Sequence, residues 1–134
     1  MTTSRTFRCR PEAVPAARLF VRAALGGQPE WIADAAELMA SELATNCVRH
    51  GHTDFELTVE SSGHIRVEVR DTGRGRPRLL SPAPRDESGR GLQIVEAISD
   101  AWGVRRAADG KAVWFMLSPS GVGYERPRAA LRRG

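Results

Sequence analysis

Apolar residues recur every three or four positions along the stretch from Pro29 to about His50. Ile32, Ala36, Met39, Leu43 and Cys47 form one stripe, while Glu30, Asp34, Glu37 and Ser41 lie off it. That spacing predicts an amphipathic helix. Pro29 suits its first turn, and Gly51 ends it. A shorter helix is expected from Glu12 to Leu25, stopped by Gly26-Gly27. Before it, Ser4–Cys9 reads as extended, with Phe7 and Cys9 on one side and Pro11 as the stop. The period then changes from helical to two. Phe55, Leu57 and Val59 alternate with polar residues, as do Ile65, Val67 and Val69, and Ser61-Ser62-Gly63 joins the two runs. This predicts an antiparallel hairpin with one buried face. Its other face would carry Glu56, Glu60 and Glu68 with Arg66 and Arg70, charges suited to cross-strand pairing.

The segment Arg76–Ser88 has three prolines and no periodicity, and is expected to be a long loop. Gly91 to Asp100 returns to helical spacing, with Leu92, Val95 and Ile98 to bury. Trp102–Arg106 and Lys111–Leu117 read as strands around the turn signal Asp109-Gly110. The second has Val113, Phe115 and Leu117 on one side and Trp114 and Met116 on the other, the pattern of an interior strand. Trp31, Trp102 and Trp114 are expected in the core. The fold class is therefore an α/β two-layer sandwich. A mostly antiparallel, mixed sheet of four or five strands would carry about three helices on one face.

Composition narrows the function. At 134 residues the chain suits one domain. No apolar run is long enough to span a bilayer, and the first residues lack a signal peptide's apolar stretch. Cys9 and Cys47 sit in unrelated contexts, which suggests neither a disulfide framework nor a cysteine zinc site and makes a reducing cytoplasm the expected location. The net charge of +4 is concentrated at the end. From Gly123 onward there are four arginines and one acid, so the rest carries 16 basic against 15 acidic residues. We expect residues 1–118 to form the domain and residues 119–134 to be a disordered Gly/Pro/Arg-rich tail. Nucleic-acid binding through that tail would be a separate, salt-sensitive property, and nucleic acid is not the expected partner.

Three separated segments carry candidate chemistry. Glu42 and Asn46 are four apart on the second predicted helix and share one side, at the edge of its apolar stripe. Asp71-Thr-Gly73-Arg-Gly75 follows a strand, and its glycines permit close backbone approach to a ligand. Ser88-Gly89-Arg90-Gly91-Leu92 opens a helix, where free N–H groups suit phosphate. Each alone also fits a structural role: a satisfied helix edge, a turn, a hinge. The third is not a Walker A loop, since no Gly-Lys-Ser/Thr follows. His50 and His52, flanking Gly51, fit a helix end better than a metal site.

Together and in this order the segments resemble the GHKL (Bergerat-fold) ATPases, in particular the small bacterial anti-sigma-factor serine kinases. Glu42 to Gly51 is similar to the N box, Val69 to Gly75 to the first glycine box, and Gly89 to Val95 to the second. Ala101–Val104 and Gly110–Trp114 resemble the closing hairpin, and Ala17-Arg18 fits the first helix. The resemblance covers about residues 4–117. It implies that Asp71 accepts a hydrogen bond from the adenine amino group. Gly73 and Gly75 would pass the base and ribose, and Asn46 would hold Mg²⁺. Gly89, Arg90, Gly91 and Leu92 would line the triphosphate, with Arg76–Ser88 as a lid. Glu42 would be the catalytic base. Arg18 matches a partner-contacting arginine. Ala112 stands where the subgroup usually has Thr near the adenine, which implies the loss of one hydroxyl contact. The implied function is an ATP- and Mg²⁺-dependent serine/threonine protein kinase. It would phosphorylate an anti-anti-sigma protein of STAS type on a Ser or Thr, sequester a sigma factor, and form a homodimer. The alternative is an ATP-binding switch that holds a partner without phosphorylating it.

Overall fold

A computed structural model describes residues 1–51, 53–72, 85–107 and 110–119. The elements run β1 (Thr2–Phe7), α1 (Ala13–Ala24), α2 (Glu30–Asn46), β2 (Phe55–Ser62), β3 (His64–Asp71), α3 (Arg85–Ile98), β4 (Ala101–Ala107) and β5 (Gly110–Leu117). The five strands form one sheet in the order β1-β2-β3-β5-β4, and every neighbouring pair is antiparallel. This is the expected α/β sandwich, with β5 in the interior of the sheet.

The alternation of the strands sets the two faces. Phe55, Leu57 and Val59 on β2, Ile65, Val67 and Val69 on β3, and Phe115 and Leu117 on β5 are buried. They pack under Ile32, Ala36, Met39 and Leu43 of α2 and Ala17 and Val21 of α1. Burying such side chains stabilises the fold by roughly 1.5–3 kcal/mol each before ordering costs. Phe7 ties β1 to both layers, stacking on Phe55 at 5.4 Å and meeting Phe20 of α1 edge-on at 6.0 Å. On the outer face the expected charge pairing is present. Arg70 bonds Glu56 at 2.9 Å, and Arg105 bonds Glu68 at 2.8 Å. Arg66 covers the ring of Trp114.

Three expectations about the elements change. Trp31 is half exposed rather than core. It lies on the side of α2 away from the sheet, because it falls out of phase with Ile32 and Ala36. The second helix is α-helical only to Asn46, and Cys47–Gly51 closes it as a single π turn. The N-terminal strand also starts and ends two residues earlier than the sequence suggests. No helix among the described residues is long and apolar enough to cross a membrane. The expected tail lies outside the described residues, apart from Pro119.

The layer model yields a paired stability test. Phe55→Ala removes a fully buried ring and should cost about 3–5 kcal/mol. Trp31→Ser should change stability by less than about 0.5 kcal/mol. Urea denaturation of the two variants checks both, and equal losses would contradict the layer assignment.

Candidate functional site

Helix α2 has different neighbours on its two flanks. On one flank Arg18 of α1 donates to Ser41 at 3.3 Å, and Arg22 pairs with Glu37, Glu30 and Asp34. Asn46 is nine residues beyond Glu37, and at ~100° per residue it projects from the opposite flank, with Glu42 beside it. The second flank belongs to α3, which packs against α2 but not extensively against α1. The sequence thus separates two surfaces on one helix by phase alone.

Beneath the end of α2 lies the end of β3. Asp71 pairs in register with Phe55, so the two share the inner face. The strand ends there, and Thr72 turns back to donate its N–H to the Asp54 carbonyl at 3.0 Å. Gly110, the first residue of β5, lies directly against Asp71. It holds a positive φ of 146°, and a Cβ there would stand 2.7 Å from the Asp71 carbonyl oxygen and closer still to its carboxylate. Only glycine permits this approach without strain.

Cys47 joins these parts. Burial pushes its thiol up to about 12; the Asp71 carboxylate raises it further and the Lys111 ammonium opposes the shift. The residue after Asn46 is therefore within electrostatic reach of Asp71, which brings two of the three sequence segments together. The polar side chains at this place are unengaged. Glu42, Asn46 and Asp71 make no side-chain hydrogen bond or ion pair among the described residues, whereas Glu37, Glu56, Glu68, Asp54 and Asp100 all do. Of the three, Asp71 is the one held against Gly110, whose missing Cβ makes room for its carboxylate.

The third segment is placed differently from expectation. Helix α3 opens at Arg85, immediately after Pro84, so Gly89 and Gly91 fall in its second turn and Leu92 in its third. The helix therefore begins six residues before Gly91, the start expected from the sequence, because the charged Arg85–Ser88 run shows no apolar periodicity. Gly73, Gly75 and the first nine residues of the expected lid lie outside the described residues.

Ala112 also changes meaning. It pairs with Arg70 and Arg105, and Arg70 neighbours Asp71 on the strand. Ala112 therefore belongs to the outer face, turned away from Asp71, and takes no hydroxyl from the inner site. Lys111 is the residue that faces the same way as Asp71 and stands across from it. Sequence reasoning missed it, although it is the only lysine beside 19 arginines. Among the described residues no group of three or more His, Cys, Asp and Glu side chains could hold a metal.

A model of the histidine kinase-like ATPase domain family matches residues 7–117. The chain belongs to that family. The match spans all three candidate segments and every strand but the first residues of β1. The structure also resembles the crystal structure of the RsbU and RsbW domains of Rv1364c from Mycobacterium tuberculosis. The TM-score is 0.69 at 18% identity, covering 88% of this chain and 32% of that one. Similarity at that level speaks for the fold. In sequence the chain is 48% identical over 60 residues to SCO4941, an uncharacterized protein of Streptomyces coelicolor, covering 42% of this chain. The aligned part spans 56% of that relative's length.

Two outcomes follow from the geometry. Gly110→Ala should cost about 1–3 kcal/mol for its backbone conformation alone, measured by urea denaturation; an unchanged midpoint would contradict the close approach to Asp71. The raised Cys47 pKa fixes a pH dependence. Its contribution to stability is fully present below the ordinary thiol value of 9.0 and is lost as pH rises toward about 12. Between pH 9 and 11 the wild type should therefore lose more stability than Cys47→Ala; parallel losses would contradict it.

Proposed function

We propose that this chain is an ATP- and Mg²⁺-dependent serine/threonine protein kinase of the anti-sigma type. It would act in the cytoplasm on an anti-anti-sigma protein and sequester a sigma factor. The observation that carries the reading is that Asp71, held against Gly110, and Glu42 and Asn46 on one flank of α2 make no side-chain hydrogen bond or ion pair among the described residues, in a member of an ATPase-domain family. The fold likeness to a structure containing an RsbW domain supports the anti-sigma assignment.

The residues present suit the nucleotide and its metal. The Asp71 carboxylate accepts an N–H, which favours adenine's amino group over guanine's carbonyl at that edge. Lys111 on the neighbouring strand brings a positive charge to the same region. Asn46 offers one amide oxygen at the side of α2 facing α3. A single protein oxygen suits Mg²⁺, which keeps waters and binds largely through substrate phosphates. When bound, the cation would neutralise charge on the phosphates. Glu42 lies one helical turn before Asn46 and makes no side-chain hydrogen bond or ion pair among the described residues. In this reading it accepts the proton of an attacking Ser or Thr hydroxyl as the γ-phosphoryl group leaves ADP. Charge then spreads over the phosphoryl oxygens, so positioning does most of the catalysis. Arg18 is proposed as a contact for the protein partner. It lies on α1, partly exposed and steadied by Ser41 and Glu37, on the opposite flank of α2 from Glu42. A homodimer belongs to the same proposal.

Two variants test the assignment. Asp71→Asn should weaken ATP binding by about 1.5–3 kcal/mol, roughly 10- to 100-fold in Kd, by calorimetry. Glu42→Gln should bind ATP normally yet transfer labelled phosphate to an anti-anti-sigma protein roughly 10²–10⁴-fold more slowly. Normal transfer by Glu42→Gln would reject its role. Tight ATP binding without transfer by the wild type would instead establish the regulatory module that holds a partner without phosphorylating it.

A further inference from the structure

We propose that Cys9 and Cys47 form a site of reversible disulfide formation whose closure weakens nucleotide binding at the end of α2; the second half of this rests on the nucleotide reading above. The two residues are the only cysteines of the chain and stand 38 positions apart. Cys9 follows β1 by two residues, and Cys47 is the first residue of the π turn. The fold brings them together. The Cys9 sulfur lies 3.7 Å from the Val48 carbonyl oxygen and 4.0 Å from that of Cys47 itself. Its own N–H is held by Asp54 at 3.3 Å. Both cysteines are free thiols.

Closing the bond requires the two sulfurs to approach to about 2.05 Å, with Cα atoms within roughly 7 Å. Cys9 already rests on the backbone that carries Cys47. The π turn is the element suited to yield, because one extra residue in a helical turn can slip more easily than a regular ladder. Cys47 also borders both parts of the site: Asn46 precedes it in the chain and Asp71 acts on its thiol. A bond toward Cys9 would pull on the backbone that carries Asn46.

Hydrogen peroxide supplies the oxidising equivalents. The Cys9 thiolate attacks one peroxide oxygen and the O–O bond breaks, giving a sulfenic acid on Cys9 and, after protonation, water. The Cys47 sulfur then attacks the Cys9 sulfur; the S–O bond breaks and the Cys47 proton leaves with hydroxide as a second water. Each cysteine is oxidised by one electron and the peroxide takes up two. A thiol reductant reverses the bond by exchange.

The test uses the full-length reduced protein, treated with hydrogen peroxide and read by intact mass, peptide mapping and ATP–Mg²⁺ calorimetry. The expected product is monomeric and lighter by two hydrogens, with the Cys9 and Cys47 peptides joined. Its ATP Kd should be about tenfold higher, within the usual range for coupled sites, and dithiothreitol should restore it. Cys9→Ser should form no bond and bind ATP equally well before and after peroxide. A bond between two chains, over-oxidation of Cys9 alone, or an unchanged ATP Kd in the bonded protein would overturn the proposal. Failure of the reduced protein to bind ATP would sink the nucleotide reading and with it the proposed coupling, while the peptide map would still decide the bond.

Discussion

The site depends on how closely the start of β5 approaches the end of β3. Asp71 is the last residue of its strand, and its carboxylate lies where the side chain of residue 110 would otherwise be. A glycine with positive φ is what leaves that space open. The contact also fixes which residues share the inner face. Asp71 lies in phase with Phe55 and the core, while Arg70 and Ala112 lie in phase with the outer charges. A slip of one residue in the β3–β5 register would exchange these sets and put an arginine where the carboxylate stands. The buried row of Val67, Val69, Phe115 and Leu117 opposes such a slip, so the hydrophobic core determines the polar site.

Helix α2 relates this site to the rest of the molecule. Its buried stripe rests on the sheet, one flank holds the ion pairs to α1, and the other carries Glu42 and Asn46 beside α3. Arg18 and Glu42 therefore stand on opposite flanks of a single rigid element. In the proposed function, a partner engaged near α1 and a nucleotide engaged beside α3 would act on the same helix. The π turn at its end is the least regular part of that connection, and Cys9 rests against the backbone that carries Cys47 there.

Much of the fold was legible because its elements are strongly periodic. The alternation of β2 and β3 survives in the structure residue by residue, as does the inner row of β5. Trp31 misled because aromatic character argued for burial while its phase on α2 argued against it, and phase decides on a helix bounded by one sheet. The start of α3 was less legible: the charged Arg85–Ser88 run shows no apolar periodicity, so a helix read from Gly91 in fact begins at Arg85. Lys111 was overlooked because motif matching drew attention to Ala112, whereas strand pairing decides which of two adjacent residues faces Asp71. The cysteines seemed unrelated because their proximity depends on long-range packing.

The central claim is that Asn46, Asp71 and Gly110 surround one nucleotide. The most direct measurement is an amide NMR titration of the protein with ATP and Mg²⁺. The account predicts that the resonances of these three residues shift together and saturate at one common Kd. Shifts confined to other regions, or none at millimolar ATP, would contradict it.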